Sequence, residues 1–167
     1  MTEPLALIVG AGDGLSASLA RLLHNQGYSI ALAARNIEKL ADLAADTDAQ
    51  THRCDAASPD EVASLFAALD GPLRVVIYNP SARVRGPITE LEPEAGQAAT
   101  DLTALGSFLA GQHAARVMLA AGEGTILFTG ASAGVKGFPQ SATFAMGKFA
   151  QRGLAESMAR ELHPQNI

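Results

Sequence analysis

A single cysteine, Cys54, leaves the chain without an internal disulfide, which suits a reducing compartment and reads as a buried thiol in a strand. Aromatic residues are scarce at 5% and charged ones at 17%, so a core has to be assembled mainly from Ala, Leu and Val. No stretch concentrates Lys or Arg, and 17 acidic against 12 basic side chains give a net charge of −5. A phosphate-backbone binder needs the opposite balance, so no nucleic-acid partner is expected. No run approaches the roughly 18 to 20 apolar residues of a membrane span, and no charged region precedes an apolar one at the start. The expectation is a cytoplasmic protein with no membrane partner. His24, His52, His113 and His163 lie far apart and away from Cys54, which argues against a metal site. Repeats, low-complexity tracts and composition shifts are also missing, so residues 1–167 read as one domain.

What is present is an alternation of two patterns. Leu5 to Val9 is a short continuous apolar run, as in a strand buried on both faces, and it flows into Gly10-Ala-Gly-Asp-Gly14. Leu15, Leu19, Leu22 and Leu23 follow at helical spacing until Gly27. The alternation continues with a strand at Ile30–Ala34, a helix from Asn36, as its cap, to about Ala45, and a strand near Thr51–Cys54. Ser58-Pro59-Asp60-Glu61 carries the signature of a helix start. Val75–Tyr78 is a fourth strand. A long helix is predicted over Pro93–Ala121, with Leu102, Leu105 and Leu109 on one stripe. Thr125–Thr129 is a fifth strand, and a last helix covers Thr143–Leu162. Strands alternating with helices of this length require crossovers, hence an α/β fold with a five-stranded, doubly wound parallel sheet of Rossmann type, covered on both faces.

The glycine turn after the first strand is where such a fold presents backbone N–H groups and a helix N-terminus to a pyrophosphate. Gly10, Gly12 and Gly14 do not match GxGxxG, because Leu15 stands at the third glycine. They fit GxxxGxG, with Ser16 replacing the last glycine. Cofactor contacts are expected from Gly10, Gly12 and Gly14 and from the backbone of Asp13 and Leu15. About 20 residues on, at the end of the second strand, an acid would bind a ribose hydroxyl, whereas arginine can clamp a 2′-phosphate. Ala34-Arg35-Asn36 occupies that place and favours NADP(H) over NAD(H). Asp13 opposes this by its charge, and Arg35 as a solvated residue ahead of a helix cap is the competing reading.

Four landmarks in order give the chain its resemblance to the short-chain dehydrogenase/reductase family, over nearly its whole length. They are Gly10 to Ser16, Asp55 after the third strand, Tyr78-Asn79-Pro80-Ser81 after the fourth, and Lys148 in the last helix. The resemblance implies strand order 3-2-1-4-5, adenine-side contact from Asp55, and cofactor contacts from Asn79 and Lys148. It also implies hydride exchange between a nicotinamide and an alcohol or carbonyl carbon of a small molecule, assisted by Ser, Tyr, Lys and Asn. Tyrosine and lysine four apart share a helix face, so the ammonium lowers the phenol's pKa and makes it an acid–base group near neutrality.

Here the pattern departs. Phe144 holds the tyrosine position, Ala131 the serine position with Ser132 one residue late, and Thr103 the asparagine position; only Lys148 remains. Tyr28 and Tyr78 are the sole tyrosines, and neither precedes a lysine by four residues. Ser132, Ser141, Thr143 or Lys148 could substitute as acid, and Phe144 equally reads as a residue shaping an apolar pocket. Ser132-x-x-x-Lys136 falls in a loop and reads as solvent-facing. Arg83 and Arg85 read as a solvated loop or as contacts for an anionic substrate.

The expected function is that of an NADP(H)-binding oxidoreductase reducing carbonyls or oxidising alcohols. The alternative is a non-catalytic NADP(H)-binding or regulatory subunit, and the third reading is a truncated product with neither role. Small residues in the two long helices, among them Ala98, Ala104, Gly106, Ala110, Ala114, Ala150, Gly153 and Ala159, permit close helix packing, and the resemblance implies a homo-oligomer through them. It also implies a sixth strand, a substrate-covering segment and a seventh strand beyond Ile167, so the domain is expected to be truncated there.

Overall fold

A computed structural model describes residues 2–167. The strands β1 (Leu5–Val9), β2 (Ser29–Ala34), β3 (Gln50–Arg53), β4 (Leu73–Tyr78) and β5 (Thr125–Phe128) form one parallel sheet in the order β3-β2-β1-β4-β5. The chain reverses direction across the sheet between β1 and β4, which is where a doubly wound fold opens a crevice at the strands' carboxyl ends.

Burial on both faces explains the continuous apolar run of β1. Leu5, Leu7 and Val9 join one core with Val76, Tyr78 and residues of α3 (Pro59–Ala67) and α5 (Gly106–Ala121). Ala6 and Ile8 point the other way, into a core shared with α1 (Leu15–Asn25) and α2 (Ala41–Thr47). The helix α4 (Pro93–Thr100) leads into α5, and α6 (Ala142–Leu162) packs against both. The outermost strand β5 is open on the α1–α2 side, where Leu127 is 47% exposed.

Four expectations about elements need correction. The leucine stripe of α1 is only in part its core face: Leu19 and Leu23 pack at the edge of the core, Leu15 and Leu22 are more than half exposed, and Ser16, Ala17 and Ala20 face the sheet. Small residues bring α1 close to the glycine turn, and leucines would hold it away. Asn36 does not cap an α-helix. A 3-10 turn over Glu38–Leu40 precedes α2, and the Asn36 side chain accepts the Glu38 N–H at 3.0 Å, closing a local Asx turn. The long helix is not uniform: Asp101–Leu105 forms a π-helical turn between α4 and α5, leaving Leu105 exposed and turning Thr103 inward. Cys54, assigned to a strand, lies one residue past β3 and is buried there.

Some of the small residues of the long helices, Gly106, Ala110, Gly111 and Ala114, are buried in the chain's own core, while Ala98, Ala150, Gly153 and Ala159 are exposed. Gly106 abuts Tyr78 and the Ala56 carbonyl, and Gly111 abuts Met158 and Phe128.

Candidate functional site

The carboxyl ends of the strands converge on a cleft of about 310 Å³. Gly10, Gly12 and Asp13 come from the turn after β1, Arg35, Asn36 and Lys39 from the segment after β2, and Cys54 and Ala56 from the end of β3. Pro80, Ser81 and Leu102 close the β4 side. Two kinds of glycine serve this turn. Gly10 has φ +76°, and a Cβ there would lie 2.5–2.8 Å from Pro80, so both conformation and space demand glycine. Gly12 and Gly14 have nothing within 4 Å of where a Cβ would stand. No protein neighbour requires them to be glycine, and what they leave open is the backbone itself. Gly14 heads α1 with no side-chain cap and no acid in the first turn, so its N–H groups are open to an anion.

The donor set therefore fits a dinucleotide phosphate. Neither Arg35 nor Lys39 forms an ion pair among the described residues, and both line the cleft with Asn36. Asp13 lines the same cleft as its one carboxylate.

Asn79 acts behind the turn. Its Nδ2 donates to Ser16 Oγ at 2.8 Å, and Ser16 Oγ in turn donates to the Gly10 carbonyl at 3.2 Å. Strand β4, helix α1 and the glycine turn are thus fastened at one point, and Ser16 is a connector as well as a small residue. Asp55 lies outside the cleft lining: its carboxylate accepts the Ala57 N–H, and its own N–H donates to Glu61. Leu15 also lies outside that lining.

The positions at which the resemblance expected acid–base chemistry are brought near one another but differently from expectation. Phe144 and Ser132 line a second cavity of about 400 Å³ together with Arg83, Arg85 and Ser141. The Arg83 guanidinium sits 4.2 Å from the centre of the Phe144 ring. Lys148 lines neither cavity. It is buried against β5, where its Nζ donates to the Thr129 carbonyl at 2.6 Å and to Gln151 Oε1 at 2.9 Å. Burial lowers the Lys148 pKa from the ordinary lysine value. Ala131 and Lys148 together line a third cavity, of about 280 Å³, and Thr103 is fully buried, its Oγ1 accepting the Ala82 N–H at 3.4 Å. Thr143 is also buried, its hydroxyl directed to the Val84 carbonyl. Tyr78 is no replacement phenol: it is fully buried, its hydroxyl donates to the Leu102 carbonyl, and burial, then the nearby Cys54 and Asp55, pushes its pKa up. His113 stacks on Phe66, with its pKa lowered by burial and then by Arg116.

Sequence reasoning missed Lys39, Cys54, Ala56, Pro80 and Leu102 as parts of the cleft. Lys39 had a signal, standing four residues after Arg35 across a helix start. Cys54, Ala56 and Pro80 are brought in by strand ends far apart in the chain, and Leu102 by the π-helical turn. Burial, then Glu61 and Asp55, pushes the Cys54 thiol up to about 11. Alkylation of Cys54 by iodoacetamide at pH 8 is therefore expected to run about 100-fold slower than for a free thiol, since thiolate is the reactive form. A rate matching free cysteine would contradict its buried position.

A family model for short chain dehydrogenase matches residues 4–167. A crystal structure of a short-chain dehydrogenase from Rhodopseudomonas palustris superposes with a TM-score of 0.93 at 37% identity, covering 98% of this chain and 81% of that one. A metagenomic short-chain oxidoreductase in complex with NADP superposes with a TM-score of 0.91 at 28% identity, covering 98% and 78%. The cis-4-hydroxycyclohexanecarboxylate dehydrogenase of Sinomonas cyclohexanicum is 31% identical over 165 residues, which are 94% of this chain and 66% of that enzyme.

Proposed function

Since the chain belongs to the short-chain dehydrogenase family, we propose that its glycine-turn cleft holds NADP(H) and that it exchanges hydride with a carbonyl or alcohol carbon of a small molecule. The observation that carries the nucleotide preference is the pairing of Arg35 and Lys39 with Asn36 in the cleft, with no acid at the end of β2. The NADP held by a solved relative supports the same reading.

The nicotinamide supplies the hydride donor or acceptor. Gly12, Gly14 and the open first turn of α1 offer N–H groups to the pyrophosphate, and Arg35 and Lys39 neutralise the 2′-phosphate. Asn79 and Ser16 hold the turn in shape. Asp55 orders the segment next to the adenine side through its Asx turn. The step at the substrate oxygen lacks a positioned phenol, so proton transfer falls to water or a hydroxyl such as Ser132.

A second reading, NADP(H) binding without turnover, is favoured by one arrangement: Phe144 carries no proton, and Lys148 is engaged by Thr129 and Gln151, away from the cleft. A panel of aldehydes and ketones incubated with NADPH separates the two. Consumption above the protein-free rate supports the enzyme, and stoichiometric binding with no consumption supports the binder. We also propose association of copies through the long helices, where Phe108, Met146 and Phe149 are exposed.

Arg35→Ala is expected to weaken NADPH by about 10-fold or more, the scale of a charge-assisted contact, and NADH by less than about 3-fold. Fluorescence titration of both nucleotides checks this. Equal losses would remove the 2′-phosphate assignment. Lys39→Ala is expected to show the same selectivity.

A further inference from the structure

The second cavity has a composition that hydride exchange alone does not require. Arg83 and Arg85 both line it, neither forms an ion pair among the described residues, and no Asp or Glu belongs to its wall. Ser141, also in the wall, heads the 21-residue helix α6 with no side-chain cap and no acid in its first turn. Two guanidinium groups and the open N-terminus of a long helix thus face one space of about 400 Å³. The remaining wall includes Phe138 and Phe144, and the Arg83 guanidinium lies over the latter's ring, 4.2 Å from its centre.

The two sides of the cavity are fastened to each other. The Gly86 N–H meets the Gln140 carbonyl, and the Thr143 hydroxyl is directed to the Val84 carbonyl, at 3.4 Å in each case. Gln140 takes φ +56°, a conformation uncommon for a residue with a side chain, in the stretch that closes this wall. The arginines leave β4 on the same segment that gives Pro80 and Ser81 to the nucleotide cleft, so the two spaces are served by one loop.

From this we infer that the cavity binds a small organic carboxylate, its anionic group held by Arg83 and Arg85 and its apolar body against Phe144 and Phe138. A guanidinium fork matches a carboxylate in geometry as well as charge, and the aromatic walls favour an organic anion over a bare inorganic one. Naming this ligand as the substrate rests on the oxidoreductase reading above. Its binding does not.

The test uses benzoate, its neutral isostere benzamide, and inorganic phosphate, each titrated into the ¹⁵N-labelled full chain and followed by amide chemical shifts, with NADPH affinity measured in parallel. Benzoate is expected to shift residues around Arg83 and Phe144 saturably and to bind about 10-fold or more tightly than benzamide or phosphate. The Arg83→Ala/Arg85→Ala variant is expected to lose that preference, with NADPH affinity held within about 2-fold because neither arginine lines the nucleotide cleft, and Arg83→Lys/Arg85→Lys to recover part of it. Both arginines are exposed, so these variants retain the fold, which circular dichroism checks. Benzoate no tighter than benzamide, phosphate as tight as benzoate, or full benzoate affinity in the double alanine variant would each overturn the inference. Benzoate discrimination in a protein that fails to bind NADPH would support this site and remove the proposed nucleotide function.

Discussion

Turnover of NADPH with a carbonyl substrate is expected to rise by about 10²-fold or more when Phe144→Tyr is combined with Ala131→Ser, because a positioned general acid contributes about 10²- to 10⁴-fold. Phe144 lines the second cavity, so a hydroxyl added to its ring gives that space a phenol it lacks, while Lys148, four residues on, stays engaged by Thr129 and Gln151 outside that cavity. The gain should appear in kcat rather than KM, since the new group assists the proton step and adds little ground-state binding. A second signature separates chemistry from repacking. The parent chain has no phenol in that cavity, so the kcat profile of the double variant acquires an ionisation that the parent profile lacks. No gain in a variant that stays folded and binds NADPH would mean that the acid–base positions lie elsewhere.

Gly10→Ala is expected to remove about 2–5 kcal/mol of stability, the sum of strain at a left-handed backbone and overpacking against Pro80. For a chain of this size that lowers Tm by roughly 5–15 °C. The same change disturbs the carbonyl to which Ser16 donates, so NADPH affinity falls with stability. Gly27→Ala is the control. Gly27 has φ +84° but open space around its Cβ position, so only the conformational part, about 1 kcal/mol, is expected. Thermal unfolding of both variants, followed by circular dichroism, distinguishes crowding from conformation. Equal Tm shifts would show that the contact with Pro80 carries no energy.

The sheet was legible in the sequence because burial on both faces writes itself as continuous apolar runs, and β1, β2 and β4 are such runs. The order of strands followed from the crossovers together with the family resemblance. The first helix was readable as a helix but not as to its face, because the sheet selects its small side, Ser16, Ala17 and Ala20, and leaves Leu15 and Leu22 outside. The π-helical turn at Asp101–Leu105 left no trace, since leucines at helical spacing run straight through it. In the cleft, Gly10, Gly12 and Arg35 could be read from one local motif and one spacing. Cys54 and Pro80 could not, because each reaches the cleft only through pairing of strands distant in sequence, and Leu102 could not, because it is brought there by the π-helical turn. The position of Lys148 was equally hidden. Its identity was plain, but the carbonyl of Thr129 and the side chain of Gln151 that engage it come together only when β5 and α6 pack. Arg83 over Phe144 is the same case: two residues read separately as a loop cation and a pocket wall form one contact.

The cleft between β1, β2 and β4 is proposed as a site for NADP(H). Titration of the chain with NADPH and with NADH, followed by nucleotide fluorescence, tests it most directly. Saturable binding of NADPH is expected, tighter than NADH by about 10-fold or more, with Arg35→Ala abolishing most of that difference. Absence of NADPH binding at millimolar nucleotide by a folded protein would contradict it.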